Sequence, residues 1–316
     1  MIAAAAAPVA VATVLAVTEF APAGILNNSS PHPAGYSWTV LTSASVDSSP
    51  AVAHGVVYVA DDDGNMYALN AATGHVRWHQ ATHAQIESRP VVAQGTVYVG
   101  NDAGRFYALN AANGDIRWMR TVSGGIHSSP AVAGGVVYFG CSGSNDVYAL
   151  RAATGATIWT QSNKGQVVSS PAAASGTVYI GSSDHRIYAL NAATGRVRWT
   201  YQTGDPVNSS PAVVHGIVYI GSNDGRVYAL DAATGHLRWS YPTGGPVNSS
   251  PAVAGGSVYI GSSDHRIYAL NAATGHLQWT RQTGGPVSSS PAVAGGTVYI
   301  GSDNNQILAL EAATGS

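Results

Sequence analysis

Charged side chains are scarce in this chain of 316 residues, because only 9% of them are Asp, Glu, Lys or Arg, against about 25% in a typical soluble domain. The chain contains one lysine, Lys164, and one cysteine, Cys141. A single cysteine excludes an intrachain disulfide and a zinc site built on cysteines. The lack of a basic cluster argues against nucleic acid as a partner, since phosphates are bound by Lys and Arg.

The residues that are abundant indicate a folded, β-rich protein. Hydrophobic residues make up 45% of the chain and its net charge is −2, whereas a disordered chain has low hydrophobicity and high net charge. The 37 glycines and 15 prolines supply the turns that connect short strands.

The N-terminal part differs in composition from the rest. Residues 2–18 carry no charge, and Ala21-Pro22-Ala23 resembles a signal-peptidase site. We therefore expect residues 1–23 to be a signal peptide or a hydrophobic segment. This segment would be the only part of the chain that contacts a membrane. We expect residues 24–35 to be a linker. The first Arg or Lys is Arg77, so the usual basic start of a signal is missing. The alternatives are a membrane anchor, a misplaced start and a fragment of a longer protein. An extracytoplasmic location (secreted, periplasmic or cell-envelope) is the prediction, with the cytoplasm as the alternative.

From Tyr36 onward the sequence repeats a unit of 40 residues, with one step of 41. Segments 181–195 and 261–275 are identical, which shows duplication. All seven tryptophans occupy one position of the repeat, namely Trp38, Trp78, Trp118, Trp159, Trp199, Trp239 and Trp279.

The fifth copy shows how one unit folds. After a short apolar run come Ile217–Ile220, rich in β-branched residues, and the hairpin signal Asn223-Asp-Gly225. Residues 226–231 alternate as a half-buried strand does. A tight turn ending at Gly235 precedes a strand that contains Trp239. Four short antiparallel strands per unit predict an all-β protein, a β-propeller built of four-stranded blades.

The number of blades follows from the length of residues 36–316, which fits seven units. The last copy stops at Ser316 before its fourth strand, and the first ordered piece, Tyr36-Ser37-Trp38, is a fourth strand without the other three. We therefore predict that the N-terminal strand completes the seventh blade and closes the ring, which removes free strand edges. We expect a monomer.

The third and fourth strands carry the motif Ala-x-Asn-x-x-Thr-Gly-x-x-x-Trp, complete in residues 68–78. This motif resembles the tryptophan-docking motif of PQQ-type propeller repeats, found in quinoprotein alcohol dehydrogenases and outer-membrane assembly lipoproteins. Some copies depart from it, at Asn113, Arg151 and Glu311. The resemblance covers residues 36–316 and implies that the seven tryptophans interlock neighbouring blades and play a structural role.

The dehydrogenases of this family imply features that the chain does not share. They typically have eight blades, a vicinal cysteine pair over the cofactor PQQ, and bound Ca²⁺, whereas Cys141 has no partner cysteine. We therefore predict no cofactor and no enzyme activity. PQQ with Ca²⁺ is expected only under the alternative that the chain is a reduced quinoprotein dehydrogenase.

A candidate site appears where the copies differ while their neighbours stay constant. We call the position three residues before the proline of each Ser-Ser-Pro motif, or its variant, the slot. It holds Asp47, Glu87, His127, Val168, Asn208, Asn248 and Ser288. The slot precedes the first strand, which lines the channel of a propeller, so these side chains and Arg89 are expected at one channel mouth. Asp47, Glu87 and His127 come from adjacent blades and offer oxygen and imidazole donors for a divalent metal. The alternative is that all of them are solvated loop residues.

These observations favour a non-catalytic binding or scaffold module whose partner is a protein or peptide, or else a glycan. Because the surface carries few charges, we expect hydrogen-bonded contacts. The sensor domain of a membrane receptor kinase and the reduced quinoprotein dehydrogenase are the alternative functions.

Overall fold

The computed structural model describes residues 38–316, which form 27 β-strands in seven antiparallel sheets. Six sheets have four strands and the last has three. The predicted signal segment 1–23 and linker 24–35 lie outside the described residues. Within the described part, no helix is long and apolar enough to cross a membrane.

The strands follow the repeat closely, and we number the sheets as blades 1 to 7 in chain order. Blades 1 to 4 contain β1 Ala51–Ala53, β2 Val56–Ala60, β3 Asn65–Asn70, β4 Val76–Ala81, β5 Val91–Ala93, β6 Thr96–Gly100, β7 Arg105–Asn110, β8 Ile116–Thr121, β9 Ala131–Ala133, β10 Val136–Gly140, β11 Asp146–Arg151, β12 Thr157–Ser162, β13 Ala172–Ala174, β14 Thr177–Ser182, β15 Arg186–Asn191 and β16 Val197–Gln202. Blades 5 to 7 contain β17 Ala212–Val214, β18 Ile217–Ser222, β19 Arg226–Asp231, β20 Leu237–Pro242, β21 Ala252–Ala254, β22 Ser257–Ser262, β23 Arg266–Asn271, β24 Leu277–Gln282, β25 Ala292–Ala294, β26 Thr297–Ser302 and β27 Gln306–Glu311.

Within each blade the strands pair in chain order as an antiparallel meander, and the register is the same from blade to blade. The first strands of successive blades approach one another in the order β1, β5, β9, β13, β17, β21 and β25, so they lie on the inner side of the blades. This arrangement confirms the all-β, seven-bladed propeller that the repeat predicts.

The hydrophobic core lies between blades. Strand β18 is buried along its whole length, and its Tyr219 packs with Val258 and Ile260 of the next blade. The third strand differs from the prediction of a half-buried strand, because all four residues 227–230 of β19 are buried. The reason is that this blade packs against another blade on each of its two faces. Both sides of its third strand are therefore buried, and alternation of apolar and polar residues does not separate core from solvent.

Each tryptophan joins its blade to the next one. The Trp239 indole lies against Gly275, where a Cβ would come within 2.6 Å of the ring, and its Nε1 donates to the Ala272 carbonyl at 3.0 Å. Tyr219 donates to the same carbonyl at 3.0 Å. The same indole bond, 2.9–3.0 Å long, occurs at all seven tryptophans, and the acceptors are Ala71, Ala111, Ala152, Ala192, Ala232, Ala272 and Ala312.

The two ends of the chain leave a distinct boundary between blades 7 and 1. Trp38 lies against Gly74 of blade 1, as each fourth-strand tryptophan lies against the following blade. Among the described residues, however, no strand pairs with the outer edge of β27. Ile307 of β27 is 61% exposed, whereas the equivalent Ile187 and Ile267 are fully buried. Closure by the N-terminal strand is consistent with the position of Trp38 and stays a prediction.

The contact between glycine and indole predicts that Gly275→Ala is more destabilising than Gly255→Ala. Both glycines have positive φ, +73° and +56°, but a Cβ on Gly255 meets nothing within 4 Å. The backbone conformation should cost about 1–2 kcal/mol in each variant, and the clash with Trp239 should add about 1–3 kcal/mol in Gly275→Ala. Denaturant unfolding of both variants measures the difference, and equal losses would contradict the role of this contact.

Ring closure predicts a large effect of Ile307→Asp. In a closed ring blade 1 covers this side chain, and burial of an unpaired carboxylate should cost about 3 kcal/mol or more. The matched control is Leu277→Asp, because Leu277 is 42% exposed on a fourth strand and should tolerate the change. Melting temperatures of the two variants decide the question, and similar small shifts would mean that the face of blade 7 is open in solution.

Candidate functional site

The loops before the first strands and the turns between second and third strands lie on the same side of the ring, which we call the loop face. Asp62 N–H, in the turn between β2 and β3, donates to the Ser45 carbonyl at 2.9 Å, and Asp102 N–H in blade 2 donates to the Gln85 carbonyl at 3.0 Å. Similar bonds occur in the other blades. Loop and turn therefore form one surface in every blade.

The variable slot is held rigidly by its invariant neighbours. Glu87 stands between Ile86 and Ser88, and both are fully buried. The Ser88 hydroxyl donates to the Gly100 carbonyl at 2.9 Å and accepts the Gly100 N–H at 3.3 Å. Because the serine and the apolar residue fix the backbone, the residue between them is free to vary, which explains the pattern in the sequence.

Three side chains of blades 2 and 3 meet at the loop face. One ligand atom each from Glu87, Asp102 and His127 lie within 4.8 Å of one another. His127 Nε2 is 3.1 Å from Asp102 Oδ1, and both side chains are about one-third exposed, at 35% and 32%. The structure thus brings together two of the residues that the sequence singled out, Glu87 and His127.

Asp102, the third member of this group, was not predicted from the sequence. It lies in the turn between β6 and β7, at a second variable position of the repeat, which holds Asp62, Asp102, Ser142, Ser183, Asn223, Ser263 and Asp303. The variation between copies at this position could have identified Asp102 as a candidate site residue. It was overlooked because Asn and Asp are common in tight turns for reasons of backbone geometry alone.

Asp47 does not join this group, although the sequence placed it there with Glu87 and His127. It is exposed on blade 1 and lies near Asp62. Burial, and after it the negative charge of Asp47, raise the pKa of the Asp62 carboxyl. Asp47 and Asp62 therefore form a separate acidic pair on blade 1.

Arg89 interrupts a chain of hydrogen bonds along the inner side of the blades. The Arg89 N–H donates to the Ser129 hydroxyl at 2.9 Å. The backbone N–H of the serine at the same position in each of blades 3 to 6 then donates to the serine hydroxyl of the following blade at 2.8–3.0 Å. The hydroxyls belong to Ser129, Ser170, Ser210, Ser250 and Ser290. Because Arg89 has no hydroxyl, it cannot accept the equivalent bond from blade 1. Its guanidinium is left exposed at the loop face.

The remaining predicted residues, Asn208 and Asn248, approach each other across blades 5 and 6. Asn208 Nδ2 donates to Asn248 Oδ1 at 3.5 Å, and both side chains are half-buried. Asn223, in the turn of blade 5, has a buried Oδ1 that no hydrogen-bond donor reaches within the described chain. We call Asn208, Asn223 and Asn248 the amide arc.

Several tyrosines at the loop face are structural and were not anticipated. Tyr228 donates to Asp224 Oδ2 at 2.6 Å, and the same carboxylate oxygen accepts the Gly204 N–H at 2.8 Å. Burial, and after it the bond to Asp224, raise the pKa of the Tyr228 phenol. Tyr188 and Tyr268 repeat the arrangement with Asp184 and Asp264. These phenols stay protonated at neutral pH and hold the turns in place.

Comparison with known proteins supports the fold and identifies relatives. A family model described as outer membrane protein assembly factor BamB matches residues 32–144 and 118–316. No curated protein matches the sequence. Among solved structures, BamB from Moraxella catarrhalis is similar with a TM-score of 0.73 and 19% identity, over 84% of this chain and 85% of that one.

Two enzymes and one designed protein are also similar in fold. A europium-containing methanol dehydrogenase has a TM-score of 0.67 and 15% identity, over 82% of this chain and 71% of that one. The quinohemoprotein alcohol dehydrogenase ADHIIG from Pseudomonas putida HK5 has a TM-score of 0.69 and 18% identity, over 86% and 66%. The computationally designed Ika8 protein has a TM-score of 0.57 and 14% identity, over 84% and 96%. Likenesses this remote show the fold alone.

Proposed function

Because the chain belongs to the family of the outer membrane protein assembly factor BamB, whose model matches it from residue 32 to residue 316, we propose that it is a non-catalytic scaffold of the cell envelope. Its loop face binds an extended segment of a protein partner. The name of the family supports the envelope location and the choice of a protein as partner, and the amide arc supports the choice of surface.

The amide arc is the observation that carries the proposal. Side-chain amides both donate and accept hydrogen bonds, and a peptide backbone offers N–H and C=O groups in alternation, which recognition of extended segments uses. Asn208 and Asn248 are half-buried, and the buried Asn223 Oδ1 has no donor in the described structure. The amides of Asn208 and Asn248 are the groups that a bound segment can reach, because both side chains are partly exposed.

The rigid setting of the arc favours binding. Val207 and Ser209 on either side of Asn208 are fully buried, and the Ser209 hydroxyl accepts the Gly221 N–H at 3.0 Å. The Ser210 N–H bonds to Ser250 of the next blade at 2.9 Å. Because these contacts order the surface before a partner arrives, little conformational entropy is lost on binding.

A dehydrogenase function is not favoured by the residues that PQQ would require. Cys141 is buried, and its Sγ lies 3.1–3.4 Å from the carbonyl oxygens of residues 123–125. It is the sole cysteine of the chain, so the vicinal pair that the family resemblance implies over PQQ has no counterpart. The residues present do not fit this cofactor, and the proposal includes no catalytic step.

Site-specific photo-crosslinking in cells that make the protein tests the proposal. A benzophenone amino acid at Asn248 should give one discrete adduct that protease removes and glycosidase leaves intact. The matched control is the same probe at Thr274, which is exposed in the turn at the opposite side of the same blade. Asn208→Ala should reduce the adduct from position 248 several-fold.

Two outcomes would contradict the proposal. Adducts of equal yield from positions 248 and 274 would show collision without a defined surface. An adduct at position 248 that glycosidase removes would identify a glycan partner and overturn the choice of a protein.

A further inference from the structure

We infer that Glu87, Asp102 and His127 form a binding site for a single divalent transition-metal ion at the loop face, between blades 2 and 3. Their ligand atoms lie within 4.8 Å of one another. The site shares no residue with the amide arc, so it does not depend on the proposed function.

The separation of two of the ligand atoms suits one metal ion. His127 Nε2 is 3.1 Å from Asp102 Oδ1, while two tetrahedral ligands of one zinc, each about 2.0–2.1 Å from it, lie about 3.3 Å apart. Asp102 Oδ1 is a buried oxygen that accepts no well-aligned hydrogen bond in the described structure, and it pairs with His127 only when the imidazole is protonated. A buried carboxylate oxygen without a donor is unfavourable, and a cation would satisfy it.

Gly125 keeps the imidazole nitrogen accessible. A Cβ at this position would lie 3.1 Å from His127 Nε2 and 3.3 Å from the Asp102 carbonyl oxygen. The equivalent residue in blades 5, 6 and 7 is proline, at 206, 246 and 286. The copy that carries histidine in the slot has a glycine at this position, which leaves the space beside His127 Nε2 free of a side chain.

A backbone hydrogen bond fixes two of the three ligands, Asp102 and His127, relative to each other. The Ile126 N–H, next to His127, donates to the Asn101 carbonyl, next to Asp102, at 3.1 Å. Ile126 and Asn101 are both fully buried. Since Glu87 and Asp102 belong to blade 2 and His127 to blade 3, a bound ion would cross-link two blades and stabilise their interface.

The donor set indicates the class of ion. Imidazole nitrogen with two carboxylates suits Zn²⁺, Mn²⁺ or Co²⁺, whereas Ca²⁺ and Mg²⁺ prefer oxygen ligands alone. The acidic pair Asp47 and Asp62 of blade 1 has no histidine beside it in the described ligand group. It provides a control for attraction by negative charge without ligation.

Calorimetric titration of the untagged full chain with ZnCl₂ alone tests the inference. We expect one ion per chain and a melting temperature that rises with added Zn²⁺. His127→Ala and Glu87→Gln should each weaken binding by at least about tenfold, because even residues one step removed from a metal contribute that much. Asp47→Asn removes the same charge from the same slot of blade 1, and His236→Ala removes an exposed histidine elsewhere, so both should stay within about twofold of the unchanged chain.

Three results would overturn the inference. They are no heat with Zn²⁺, Mn²⁺ or Co²⁺, an Asp47→Asn variant that weakens binding as much as Glu87→Gln, and a Ca²⁺ affinity equal to that for Zn²⁺. Because Glu87 is exposed, the Glu87→Gln variant should fold normally. Loss of binding in that variant is therefore not explained by unfolding.

Discussion

The contact between one blade's tryptophan and the next blade's glycine is the interaction on which the structure depends. Each indole needs a flat, open backbone to lie against, and a glycine with φ of +67° to +80° provides it in all seven cases. The same indole donates a hydrogen bond to the alanine carbonyl three residues before that glycine. Apolar burial and a satisfied polar group thus join successive blades at one point.

This repeated contact and the apolar core between the blades hold the blades in position, so the loop face is free to differ from copy to copy. In blades 2 to 6 the two neighbours of the slot residue are fully buried, an aliphatic residue before it and a serine after it, so a change at the slot alters the surface and not the packing. Blades 2 and 3 thereby carry carboxylates and an imidazole, while blades 5 and 6 carry amides. One ring can offer two chemically distinct surfaces in this way, and a scaffold gains specificity without a change of fold.

The boundary between blades 7 and 1 is the exception to the repetition. Leu308 replaces the tyrosine found at this position of the other third strands, and Ile307 is exposed where its counterparts are buried. Trp38, Val40 and Val46 pack on blade 1 as Trp239, Tyr241 and Val247 pack on blade 6, but among the described residues no side chain of blade 7 belongs to that cluster. The edge of β27 and the face around Ile307 are therefore the part of the ring whose surroundings differ most from those of the other blades.

The sequence alone determined the blade count, the strand pattern and the special status of the slot, because each is written in local periodicity and in differences between aligned copies. It predicted Glu87 and His127 as neighbours for the same reason. The tertiary structure decided that Asp102 and not Asp47 completes their group. The physical reason is that a slot side chain meets the turn of its own blade and the loop of the next blade, and this distance depends on the angle between blades, which no local pattern encodes. The burial of both faces of the third strands was likewise decided by packing between blades.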